Sequence, residues 1–262
     1  MSGITWLPLL FLVALTAASL VVWALAMARW EQGRPALPYR ERNPVHLSAG
    51  VVIAAGAAWL LVRELFASVL GPAQGPSLVH VQASCAANLL TLLLVREVLL
   101  ARHARELDDL GLRFREPAEE AAHGACGFLA GVLPVLVVVA LTMSLRDPTT
   151  QHAFLRLLEK DATTATLMWI AVAVVGLAPL TEELLFRVIL QGALQTRVSP
   201  PYAIVVTAIA FAAIHGLPDS LPLVPLALIL GYVFYRRNSY LAVVILHALF
   251  NLSNLLLALF PG

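Results

Sequence analysis

Residues 163–191 read TTATLMWIAVAVVGLAPLTEELLFRVILQ and carry charge at only three places, Glu182, Glu183 and Arg187. A helix needs roughly 20 apolar residues to cross the hydrocarbon of a bilayer, and this run exceeds that with a carboxylate pair buried in its second half. The rest of the chain is of the same kind. Hydrophobic residues make up 60% of it, charged residues 13%, and the mean hydropathy is +0.84. Soluble domains are about a quarter charged, so an ordinary soluble fold is excluded. The net charge of +1 shows no basic surplus, and nothing points to nucleic acid as a partner.

Apolar stretches of spanning length recur along the chain, at approximately 4–28, 46–70, 79–101, 121–145, 163–191, 202–216, 221–236 and 239–260. The predicted fold class is all-α, a polytopic membrane helix bundle of about eight transmembrane helices. The first stretch is too long for a signal peptide and has no basic leader, so it is expected to stay as a helix. The sixth and seventh are short and bounded by Pro200, Pro201, Pro218 and Pro222. They are expected to be tilted or partly re-entrant, which a bilayer tolerates where backbone faces protein. The segment 146–162, with Phe154, Leu155, Leu157 and Leu158 among charges, is expected to lie along an interface. Cys85 and Cys126 have no partner at metal-ligand spacing and read as small apolar residues. Nearly all basic residues are Arg, Lys160 being the only Lys. With so much Ala and Leu, this suggests a bacterial source and hence a multi-pass protein of the bacterial inner membrane.

Ionisable residues inside spans are costly and so are functional candidates. For Arg63-Glu64 and Arg96-Glu97 the expected role is structural. Adjacent residues do not face each other on a helix, so the first pair should meet other helices or a watery part of the bundle. The second sits near a span end and can snorkel. Glu182-Glu183-Arg187 differs. Glu183 and Arg187 are one turn apart, in the favourable order for an ion pair. Glu182 points about 100° away without a local partner, either to hold another helix or to act as a general base. Two more polar pairs lie one turn apart, Phe211 with His215 and His247 with Asn251. Counted from the span ends, Glu182, His247 and His215 lie roughly 15, 10 and 20 Å deep. A carboxylate, two imidazoles and an amide at mid-bilayer depth make a constellation suited to water activation. His46, His80, His103, His123 and His152 lie in loops or near span ends and carry no assigned chemistry.

At these residues the chain resembles the CAAX prenyl endopeptidase and bacteriocin-processing (CPBP) family, also called the abortive-infection family. The three motifs are Glu182-Glu183-x-x-x-Arg187, Phe211-x-x-x-His215 and His247-x-x-x-Asn251, and the stretch from Leu230-Gly231-Tyr232 to Arg236-Arg237 also looks familial. The likeness divides the chain into N-terminal transmembrane helices (1–114) and a peptidase-like core (115–262). It implies an intramembrane protease acting on a peptide or membrane-protein substrate in the lipid bilayer. Glu182 and His215 would activate water, His247 and Asn251 would bind the oxyanion, and Glu183, Arg187 and Phe211 would be structural support. Eukaryotic members trim prenylated CAAX proteins, a specificity that need not carry over. The family is often called a metalloprotease family, and zinc at His215, His247 and Glu182 is the alternative to the favoured metal-free chemistry, which needs no cofactor. Two other functions compete: a non-proteolytic partner such as a bacteriocin-immunity factor or scaffold, and a transporter with a proton relay. The latter would be expected to show inverted repeats, and none is evident.

Basic residues set the orientation. One set of connections holds Arg29, Arg34, Arg40, Arg42, Arg102, Arg105, Arg113, Arg115, Arg197, Arg236 and Arg237, and the alternate set only Arg146, Arg156 and Lys160, a ratio of 11 to 3. The first set is predicted to be cytoplasmic. Single cysteines in place of Arg34, Arg105 and Arg197 should therefore be shielded from an impermeant thiol reagent added outside; labelling of all three from outside would reverse the orientation.

Overall fold

The computed structural model describes residues 6–70, 77–114, 116–145, 153–161, 163–217 and 220–259. Among these residues there are helices and no strands. The helices are α1 (Trp6–Glu31), α2 (Ala49–Leu70), α3 (Leu78–His103), α4 (Pro117–Leu141), α5 (Ala153–Lys160), α6 (Thr164–Gln195), α7 (Pro200–Ala213), α8 (Ser220–Arg237) and α9 (Tyr240–Leu259). α1, α2, α3, α4, α6 and α9 are each long and apolar enough to cross a membrane. The protein is a multi-pass helical membrane protein. α7 and α8 correspond to the two short Pro-bounded stretches and pack against each other as a hairpin. Of the residues that marked those stretches, Pro218 lies outside the described residues, as do Arg146 and His152.

The central helices approach closely because α4 offers glycines to its neighbours. A Cβ on Gly124 would lie 2.4 Å from the Ala242 carbonyl of α9, and one on Gly127 would lie 2.6 Å from Leu246 Cδ1. Without an appreciable hydrophobic drive between helices in lipid, such small-residue contacts are what let backbones pack. Pro134, inside α4, has no N–H to give the carbonyl one turn back. That carbonyl, Ala130 O, instead accepts from Trp23 Nε1 at 3.0 Å, and Ser19 Oγ accepts from Leu133 N at 3.2 Å. α1 is thereby pinned to the distorted turn of α4, although Ser19 is its only buried residue among those described.

The basic connections gather at one end of the bundle. The segment between α1 and α2 crosses that end as a strap. Arg40 N donates to Arg236 O and Arg236 Nε to Leu37 O, while Arg236 stacks over Tyr39. Arg42 donates to Asn238 and Gln195, and Arg197 to Leu47 O. Arg237 reaches Glu119 and Glu120 at 2.7 and 2.9 Å, and Arg40 shares Glu120. Burial lowers the Arg42 guanidinium from its usual value.

At the other end, α5 is amphipathic as expected. Leu157 and Leu158 are buried in a cluster with Val81, Cys85, Ile170 and Leu255, while Arg156, Glu159 and Lys160 are exposed. Of the adjacent charges in the N-terminal helices, the first pair departs from expectation. Arg63 and Glu64 face neither another helix nor an internal space; both are exposed on the outer surface of α2. Arg96 and Glu97 pair with each other at 2.5 Å, also on the outside.

Replacing Gly124 by Leu should force α4 and α9 apart. Overpacking of this kind costs about 1–3 kcal/mol, read as a lower unfolding temperature in detergent, whereas the same change at Gly56, where a Cβ would meet nothing within 4 Å, should leave it unaltered.

Candidate active site

Three helices bring the motif side chains together. α6 departs from α geometry on both sides of its acidic pair, with π-helical turns at Val172–Leu177 and Leu184–Gln191. Such turns are rare and concentrate at functional sites. Glu183 and Arg187 are both fully buried, and Glu183 Oε2 accepts from Arg187 Nε at 2.9 Å, the expected one-turn pair. The carboxylate has a second oxygen, and this one contacts His247 Nδ1 at 2.8 Å. Sequence spacing gave no sign of that contact, because it crosses from α6 to α9.

The Glu183 bond makes Nδ1 the donor of the His247 ring and turns Nε2 toward Glu182. His215 is held in the same sense by a different anchor. Its Nδ1 donates to Phe211 O at 2.8 Å, within the turn that ends α7 at Gly216 (φ 71°). Nε2 of each ring then stands 3.9 Å from Glu182 Oε2. Tautomer and ring direction are thus set by what each Nδ1 binds. Glu182 keeps 17% of its side-chain surface and His215 28%, whereas His247 keeps 4%. One side of this cluster is open while the other is sealed.

Phe211 is the packing centre. Its ring lies 4.9 Å from that of His215 and 5.6 Å from that of His247, and Arg187 sits over it at 5.1 Å. Phe186 meets it edge-on at 5.3 Å and is itself met by Trp59 of α2 at 6.4 Å. Asn251, one turn beyond His247, does not sit free: its Nδ2 donates to Val174 O at 2.7 Å, in the first π-helical turn. One of its two amide hydrogens is thereby engaged. Tyr240, which no motif marked, donates from its hydroxyl to Leu180 O at 2.6 Å and adds a further tie between α9 and α6.

Residues 164–253 match the family model described as type II CAAX prenyl endopeptidase Rce1-like. Over this stretch the chain is similar to that family. The match spans all three motifs and agrees with the CPBP resemblance; no curated protein and no solved structure matches the chain. It supports a CAAX-type intramembrane protease, and the polar cluster described above lies within the Rce1-like segment.

The donor set of Glu182, His215 and His247 is one that zinc accepts. Around a tetrahedral ion with bonds of about 2.0–2.1 Å, neighbouring donor atoms lie about 3.3 Å apart. Here the carboxylate oxygen stands 3.9 Å from both nitrogens, and among the described residues no group of three His, Cys, Asp or Glu has metal-holding geometry. As they stand, these donors are too far apart to share a zinc. A cavity of about 260 Å³ at the basic end, bordered by Tyr39, Arg42, Asp109, Val188 and Gln195, contains none of the motif side chains.

Glu183 holds two groups at once, so Glu183→Ala leaves Arg187 without its carboxylate and His247 without its anchor. Breaking a buried pair costs on the order of 3–5 kcal/mol. The variant should show lower yield and a clearly lower unfolding temperature, while Glu182→Gln, made at a partly exposed side chain, should unfold close to wild type.

Proposed function

We propose that the chain is an intramembrane endopeptidase in which Glu182 is the general base. The observation that carries this is the pair of Nε2 atoms converging on Glu182 Oε2, each ring fixed through its other nitrogen. A water held among these atoms gives its proton to Glu182 as its oxygen attacks the peptide carbonyl, with His215 Nε2 accepting a hydrogen bond from the same water. The carbonyl oxygen becomes an oxyanion. His247, as an imidazolium donating from Nε2, and the second amide hydrogen of Asn251 would bind it; one such donor contributes about 2.7–4 kcal/mol to the transition state. As the tetrahedral intermediate collapses, the C–N bond breaks and the proton on Glu182 passes to the leaving nitrogen, giving a free amine and a carboxylic acid. Glu183, Arg187 and Phe211 hold the rings and do not touch the reacting atoms. The substrate in this proposal is a peptide or membrane-protein segment that reaches the cluster from its open side, by Glu182 and His215. Prenylation of that substrate is not part of the proposal.

The test uses purified full-length protein with a fluorogenic prenylated peptide and a library of transmembrane peptides. Glu182→Gln should lower cleavage by about 10²–10⁴-fold, the usual contribution of a general base, while the protein stays folded. Near wild-type cleavage by Glu182→Gln would remove Glu182 from the reaction, and no cleavage of any peptide by wild type would favour a scaffold or immunity role. Activity should also survive exhaustive chelation; stoichiometric zinc, with activity lost on its removal and restored on its return, would make the histidines ligands instead.

A further inference from the structure

Arg63 and Glu64 are the polar residues that the proposed chemistry leaves unexplained. They lie in α2, seven and six residues before its end at Leu70, or about 10 and 9 Å along the axis. The inner side of α2 is defined by buried Val51, Ala55 and Val62, and by Trp59, whose ring meets Phe186. Arg63 and Glu64 stand on the other side, exposed, and among the described residues neither has an ion-pair or hydrogen-bond partner. Arg96 and Glu97 show the contrast: they neutralise each other, close to a helix end. A charged side chain facing hydrocarbon is expensive. An arginine can lift its head group toward the interface, but a glutamate is too short to cover the same distance.

We propose that this face of α2 binds a second copy of the same chain, about a twofold axis along the membrane normal. In such a pair each copy keeps its depth, so Arg63 of one stands level with Glu64 of the other to within one residue rise, about 1.5 Å. The two residues are rotated about 100° from each other on the helix, which sets them on either side of the axis between two chains, and unlike Arg96 and Glu97 they do not pair within one chain. The contact is self-complementary, as a twofold interface must be. Both charges are met twice over by a single pair of residues. An anionic lipid headgroup could answer only the arginine. The same face offers a seam for the approach: Ile53, Ala57, Leu60, Glu64 and Ala67 recur at alternating spacings of four and three residues, with Arg63 on its flank, and all are exposed. This spacing suits parallel helices crossing at a shallow angle, and the alanines permit close backbones.

Disulfide trapping in native membranes tests the proposal on the full chain. Exposed Cys126 is changed to Ala, buried Cys85 is kept, and a cysteine is placed on the seam by Leu60→Cys or on the outside of α1 by Leu10→Cys. Oxidation should trap a species of twice the chain mass with Leu60→Cys and not with Leu10→Cys. Adding Arg63→Glu should weaken the association about tenfold, equivalent to about 1.4 kcal/mol. The reciprocal exchange Arg63→Glu with Glu64→Arg should restore it. If Arg63→Glu does not accumulate, Glu64→Gln is the substitute, with the same loss expected. The proposal is overturned by the absence of a trapped dimer, by trapping that ignores Arg63→Glu or Glu64→Gln, by a double exchange that fails to restore it, or by a trapped product whose mass requires a different protein.

Discussion

A carboxylate sealed from water inside a membrane protein must find its counter-groups in the protein itself. Glu183 does so with both oxygens, one on Arg187 and one on His247. The first contact is within α6 and neutralises the charge. The second spans to α9 and sets the direction of an imidazole whose other nitrogen faces Glu182. The same arginine lies over Phe211, which touches both histidine rings. Three helices are thus registered through one buried charge. The two adjacent glutamates have opposite surroundings, one with no exposed surface and one open on a side. A helix does this simply by turning about 100° between neighbours.

The scaffold around the cluster handles broken helices by supplying partners from elsewhere. Pro134 frees a carbonyl of α4, and Trp23 of α1 takes it. The π-helical turn at Val172–Leu177 offers the Val174 carbonyl, and Asn251 takes it. In hydrocarbon an unmet carbonyl has no water to turn to, so each irregular turn doubles as a docking point for a specific side chain. At the basic end the strap between α1 and α2 is held by arginines on main-chain carbonyls and side-chain amides. The N-terminal helices are therefore tied to the Rce1-like segment at the surface as well as within the bilayer.

Much of this was legible in the sequence, and for a physical reason. A bilayer demands long apolar runs, so the runs at 46–70, 79–101 and 239–260 fall within a few residues of helices α2, α3 and α9. Pro200, Pro201 and Pro222, which bounded the short stretches, fall in the first turns of α7 and α8. Periodicity within one helix showed that Glu183 could reach Arg187. It could not show rotation between helices. For that reason the Glu183–His247 bond, the engagement of Asn251 by Val174 and the exposure of Arg63 and Glu64 emerge only from the fold. Nor could local spacing reveal the π-helical turns, since the residues of α6 suit either helix and the choice is made by what packs around them.

One consequence follows from the length of α7. Its 14 residues extend about 21 Å, against a hydrocarbon layer of about 30 Å. The hairpin it makes with α8 therefore falls short of one membrane surface, with His215 at its tip. Hydrocarbon cannot be left facing the polar backbone of that turn. A span shorter than the layer is met by neighbouring protein or by a locally thinner bilayer, the latter at a modest cost for each ångström of mismatch. The end of α7 that carries His215 then sits inside the layer, and the path for a water molecule from that side is shorter than past a full-length span.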